Sequence, residues 1–195
     1  APCAANAARW HGLSSITHSS CDIQKVCDGK QWNFQYFDIQ PGTGPSDKTF
    51  NRLDLNQDLP HDLYLSCDIL VDSGTAEHCF NIGKVFENYF YLLKPGGVLI
   101  QYIPFFSPNH GFWSANPTVV FDLASCNPVK ILQCELQLYP GYLSYFACSY
   151  TTLDFSRVSR FSVKSLEATD IVLIYFVYKK IGKGLFRFPV QAKYR

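Results

Sequence analysis

CDILVDSGTAEHCFNIGKVFENYFYLLKPGGVLIQYI, residues 67–103, holds two apolar strand patterns on either side of one helical pattern. Residues 67–72 are continuously apolar in their middle, as a strand covered on both faces is, and Ser73-Gly74-Thr75 is a turn. From residue 76 to residue 93 the apolar side chains Phe80, Ile82, Val85, Phe86, Phe90 and Leu93 recur largely every three or four positions, which predicts an amphipathic helix. Lys94-Pro95-Gly96-Gly97 ends that helix with a cation and two glycines, and residues 98–103 form the next strand. Strand, helix and strand joined by short links imply a right-handed crossover and a parallel sheet.

Working outward, residues 32–39 are aromatic and β-branched enough to be a strand, stopped by Pro41 and Gly42, and residues 51–55 form a second short one. Residues 130–138, 142–152 and 171–179 also read as strands, so the second half is richer in antiparallel pairing. Residues 40–48 and 107–117 are loops, and residues 161–169 are either a loop or a short helix. No repeat or linker divides the chain, so residues 1–195 are expected to be one α/β domain.

Composition narrows the function. With 47% apolar and 17% charged residues the chain is not disordered, and 17 basic against 16 acidic residues leave no surplus to neutralise a long run of phosphates. The longest uncharged apolar stretches fall far short of the roughly 20 residues a membrane helix needs. Residues 1–8 lack the pattern of a secretory signal. A cytoplasmic protein with no membrane partner is therefore expected. Met is absent, as a processed chain or a polyprotein fragment allows. The eight cysteines include no C-x-x-C pair, and the histidines complete no finger-type set, so free buried thiols and no metal are expected.

In an open α/β sheet the chemistry sits just beyond the carboxyl ends of the strands. Those positions hold Asp38; then Asp54 and Asn56; then Asp72, Ser73, Gly74, Glu77 and His78; and, after residues 98–103, Asn109, His110 and Gly111. A strand-end carboxylate can accept two hydrogen bonds from ribose hydroxyls, and Asp38 suits that role. Singly, each of these residue types is also an ordinary turn or cap former.

Taken together, Asp72-Ser-Gly-Thr-Ala-Glu77-His78, the Leu93-Lys-Pro-Gly-Gly97 turn and a strand running to Pro104 resemble the class I S-adenosylmethionine-dependent methyltransferases. Asp54-Leu55-Asn56 and His110-Gly111-Phe112 with the following Pro117 resemble one subgroup of that family. The resemblance covers residues 33–123 and, more loosely, residues 171–179 as the final antiparallel strand. It implies a Rossmann-like, seven-stranded, mostly parallel sheet and S-adenosylmethionine as small-molecule cofactor. By the same resemblance Asp38 would hold the ribose, Asp54, Leu55 and Asn56 would flank the adenine, and Asp72, Ser73 and Gly74 would line the methionine side. Glu77, His78 and His110 would face the acceptor, with a histidine as base for transfer to an oxygen or nitrogen.

The sequence departs from the family at its first strand, which normally ends in an acidic residue and a glycine-rich turn. Residues 15–22 contain no glycine; Ser19 and Ser20 would supply the donors there, and Asp22 would orient the amine. A second reading of the same residues is therefore a methyltransferase-like binding or scaffolding domain without activity. The strand at residues 98–103 carries none of the lysines used by cap-type RNA ribose methyltransferases. The basic tail Lys179, Lys180, Lys183, Arg187, Lys193 and Arg195, with Phe186, Phe188 and Tyr194, offers phosphate and stacking contacts, but reads first as a solvated segment, so RNA is not the favoured partner.

Overall fold

A computed structural model describes residues 33, 35–39, 50–146, 149–153 and 166–194. The expected loops at residues 15–22, with Ser19, Ser20 and Asp22, and at residues 40–48 lie outside the described residues, as does most of the segment at 161–169. Strands β1 (Tyr36–Asp38) and β2 (Phe50–Arg52) form a parallel pair. A second sheet has the order β3-β4-β7-β5-β6, from β3 (Cys67–Asp72), β4 (Leu93–Phe106), β5 (Val129–Tyr139), β6 (Thr151–Leu153) and β7 (Ile171–Lys180). β3 and β4 are parallel. β7 lies antiparallel between β4 and β5, so β3, β4 and β5 share one direction. The α/β class and the antiparallel final strand are the observed architecture.

Helices α1 (Ile82–Leu92) and α2 (Thr118–Cys126) pack on one face of this sheet. β7 alternates cleanly between the two faces. Val172, Ile174, Phe176 and Tyr178 join Val85, Phe86, Phe90 and Leu123 in the main core. Ile171, Leu173, Tyr175 and Val177 meet Ile100, Tyr102 and Tyr139 on the other face. No helix among the described residues is long and apolar enough to cross a membrane.

Three sequence expectations change. The helix expected from residue 76 is a single tight turn (Ala76–His78) followed, three residues on, by α1. The break has a cause: the Trp113 indole N–H reaches the carbonyls of Cys79 and Phe80 at 3.1 and 3.2 Å, and Asn81 caps α1 by accepting from the Lys84 amide at 3.3 Å. At the other end, the Lys-Pro-Gly-Gly run does not close the helix, because Leu93 is already extended and paired with Cys67. The glycines serve β4 instead. A Cβ on Gly97 would stand 2.9 Å from the Lys94 carbonyl oxygen and 3.1 Å from that of Cys67, so only glycine lets the two strands close at this irregularity. Finally, residues 142–152, read as one strand, form helix α3 (Gly141–Phe146) and then β6. Gly141, at φ +72, turns the chain out of β5, and its amide donates to Asp170 at 3.2 Å.

The C-terminal segment is pinned rather than free. The Phe186 amide donates to the Tyr91 hydroxyl at 3.1 Å, Asn127 exchanges bonds with both backbone groups of Arg187 at 2.8 and 2.9 Å, and the Ala192 amide donates to Asp122 at 3.1 Å. Lys180, grouped by sequence with the basic tail, is 2% exposed. Its ammonium donates to the carbonyls of Phe90 and Leu93 at 2.7 and 2.9 Å and lies 4.1 Å from the centre of the Phe90 ring. It thus satisfies carbonyls that α1 leaves open at its C-terminus, where a cation is favoured.

Burial pushes the Lys180 ammonium down to about 8, so between that value and the ordinary lysine range the unfolded chain holds a proton that the folded chain releases. Stability from this group therefore rises with pH across that window and is lowest below pH 8. Lys180→Met, which strands both carbonyls, is expected to cost about 1–3 kcal/mol in denaturant unfolding and to abolish that rise relative to wild type. A difference between the two proteins that does not vary with pH above 8 would show that the ammonium keeps its ordinary affinity for protons.

Candidate active site

The site grows from the end of β3. Asp72 is 3% exposed and directly opposite Gln101 of β4. One carboxylate oxygen accepts from the amides of Gly74 and Thr75 at 3.0 and 2.7 Å. The other accepts from Gln101 at 2.9 Å, the Tyr89 hydroxyl at 3.0 Å and, at a longer 3.4 Å, the Ala76 amide. Burial raises its pKa above the ordinary carboxyl value, against the lowering action of these donors. Asp72, expected at the methionine side of a cofactor, lies beneath the turn that follows β3. Its oxygens hold the amides of Gly74, Thr75 and Ala76 and so set the backbone of that turn.

That turn delivers Glu77 and His78. Glu77 is 2% exposed; one of its oxygens lies 3.3 Å from Nε2 of His110 and the other has no hydrogen-bond partner. Burial and the neighbouring Asp72 charge raise the Glu77 pKa, opposed by His110. The His78 and His110 rings meet edge to face with centroids 4.8 Å apart. Both histidines are exposed, so the cluster opens from a buried carboxylate to solvent.

His110 is brought across 33 residues by the loop after β4. The Phe112 amide donates to the Glu77 carbonyl at 2.7 Å, the Ala115 amide to that of Pro104 at 2.7 Å, and Trp113 binds the carbonyls of Cys79 and Phe80. Gly111 makes the contact possible: its φ is +67, and a Cβ there would stand 2.9 Å from both Cγ and the carbonyl oxygen of Glu77. The loop lines an open cleft of about 390 Å³. Phe80, Phe112 and Trp113 cluster at its rim, with Phe80 6.0 Å or less from each of the other two rings.

The remaining predicted residues lie on neighbouring elements. Asp54 accepts from the amide and side chain of Asn56, both at 2.9 Å, which lower its pKa. Asn56 accepts from the Asn81 amide at 2.9 Å, and the buried Asn88 side chain donates to the carbonyls of Leu55 and Gln57 at 3.0 and 2.9 Å. Asp54, Leu55 and Asn56 therefore form a loop clamped to the start and middle of α1, with Leu55 half-buried. Asp38 closes β1, half-buried, and its carbonyl accepts from the Leu53 amide at 2.9 Å. Sequence reasoning passed over Asn88, Gln101, Tyr89 and Trp113. The first two carried a signal, each being an amide inside an apolar pattern.

No family model and no curated protein sequence matches the chain. Solved structures to which it is similar include a candidate methyltransferase of Bacillus halodurans, 13% identical with a TM-score of 0.43, covering 72% of this chain and 75% of that one. The YcgJ protein of Bacillus subtilis is 14% identical with a TM-score of 0.43, over 70% and 72% of the two chains. A StiE O-MT segment is 16% identical with a TM-score of 0.39; the match covers 69% of this chain and 50% of that segment.

Gly111→Ala tests how the site is assembled. The strained φ and the clash with Glu77 are expected to cost about 1–3 kcal/mol, read as a lowered melting temperature. Solvent access to the Glu77 carbonyl would rise with it, so the Phe112 amide should lose hydrogen-exchange protection. Unchanged protection would mean that the loop docks without that close approach.

Proposed function

We propose that the chain is an S-adenosylmethionine-dependent methyltransferase that transfers a methyl group to an oxygen or nitrogen of its acceptor. The observation that carries this reading is the meeting of Glu77, His78 and His110 beyond the carboxyl ends of the parallel pair β3 and β4, where open α/β sheets hold their ligands. Asp38 ends a parallel strand in the same way. The clamped Asp54-Leu55-Asn56 loop offers the half-buried Leu55 as an apolar contact for a purine, while Oδ1 of Asp54 accepts both the amide and the side chain of Asn56 and shapes the loop.

The cofactor, when bound, supplies a methyl group activated by its positive sulfur. The protein's part is to hold the acceptor in line with it and to take up the acceptor's proton. Glu77 accepts from Nε2–H of His110 in the tautomer that makes this contact, which leaves Nδ1 to receive that proton. His78 stands beside it as the second imidazole facing solvent. The cytoplasm, which keeps thiols reduced, is the compartment that goes with this reading: among the described residues Cys67, Cys79, Cys126 and Cys134 are free thiols.

Calorimetric titration with S-adenosylhomocysteine tests the reading directly. Saturable binding is expected, weakened about 10- to 100-fold in Asp38→Ala by loss of charge-assisted hydrogen bonds to the ribose. His110→Ala is expected to bind normally and to transfer poorly. Absence of binding in the wild type would overturn the transferase reading and leave a scaffold on the same fold.

A further inference from the structure

The contact between His110 and Glu77 leaves three demands unmet. Two ligand-type atoms stand 3.3 Å apart and need a positive particle between them. A buried carboxylate oxygen beside them has no partner. A second imidazole points at the same place, so that one ligand atom from each of Glu77, His78 and His110 lies within 4.8 Å of the others. A single proton meets only the first of these demands.

We propose that Glu77, His78 and His110 form a binding site for one divalent cation with coordination positions open to solvent. Two imidazoles and a carboxylate are a ligand set that suits zinc, cobalt or ferrous iron. Around an ion with bonds of roughly 2.1 Å, tetrahedral ligands stand about 3.4 Å apart, which the His110–Glu77 pair already matches. His78 is exposed and closes the remaining distance by turning its ring. Glu77 has no such freedom and needs none, because Gly74 and Gly111 both press on it: a Cβ on either would stand 3.0 Å or less from a Glu77 atom. The fixed, buried anion and the two adjustable exposed imidazoles are arranged as an anchor and two closing arms.

The three protein ligands leave room for water or an acceptor oxygen. In the transferase proposed above, the ion would lower the acceptor's pKa and so take over part of the work of the imidazole base. That role rests on the proposed function. Ion binding itself does not.

The test is titration of chelator-treated protein with Co²⁺, followed by calorimetry and visible absorption. One ion per chain is expected, with ligand-field bands of nitrogen and oxygen ligands and without the thiolate charge-transfer absorption that binding at a cysteine would give. His78→Ala and His110→Ala, both at exposed positions, are expected to weaken binding at least about tenfold, or about 1.4 kcal/mol. The near-isosteric Glu77→Gln should do the same with an unchanged circular dichroism spectrum. His61→Ala, at an exposed histidine whose ring lies tilted 5.0 Å from that of Tyr64, should bind normally. No saturable binding, or binding that survives both site histidine variants, would overturn the site. S-adenosylhomocysteine binding measured on the same samples separates the two proposals: cobalt without the nucleoside removes the transferase and keeps the ion site, and the nucleoside without cobalt does the reverse.

Discussion

The carboxylate of Asp72 is the interaction on which the site depends. It ties together three parts of the chain: the turn after β3, Tyr89 of α1 and Gln101 of β4. A buried carboxylate is costly unless its lone pairs are met, and here each oxygen receives at least two donors. Because two of those donors are consecutive backbone amides, the anion sets the path of the turn, and the turn sets where Glu77 and His78 leave it. The Tyr89 and Gln101 bonds fix the same carboxylate against the helix and the neighbouring strand. Position is thus handed from the core to the surface through one group.

β7 supplies the platform beneath this arrangement. It is inserted between β4 and β5, buried on both faces, and carries the ammonium that closes α1. The last segment then crosses the helices and is held by Tyr91, Asn127 and Asp122. Helix α1 is consequently fixed at both ends, by Asn81 with Asn56 at its start and by Lys180 at its finish. A helix so fixed can hold the Asp54-Leu55-Asn56 loop in one place through Asn88.

The sequence made the strands legible where burial on two faces writes a continuous apolar run, as in residues 67–72 and 171–179. It also placed Glu77, His78 and His110 at strand ends and so among the candidates. What it did not disclose was contact across distance. The helical period of residues 76–93 contains no mark of Trp113, whose indole N–H takes two carbonyls away from the helix. Gly96 and Gly97 look like a helix stop until the partner strand, with its carbonyl at Cys67, is in place. Lys180 follows Lys179 and reads as half of an exposed basic pair; the pleat sends it inward, to carbonyls some ninety residues away. The donors of Asp72 were hidden for a similar reason, since a strand-end carboxylate is written the same way whatever group donates to it, and the amides that do so belong to the next turn.

Glu77 is the residue that local stability alone does not explain. It buries a carboxyl group close to Asp72, leaves one oxygen without a partner and requires two glycines in left-handed backbone to make room. Each of these features costs free energy: a buried polar atom without a hydrogen bond about 1–3 kcal/mol, and two like charges in one low-dielectric turn more. Asp72 shows that this fold can satisfy a buried carboxylate fully when its purpose is to hold structure. The unsatisfied carboxylate stands only a few residues further on, beside two exposed imidazoles, and broken local rules of this kind are the pattern of functional sites. The contrast between the two acids separates the part of this turn that builds the fold from the part for which the proposed cation site gives a reason.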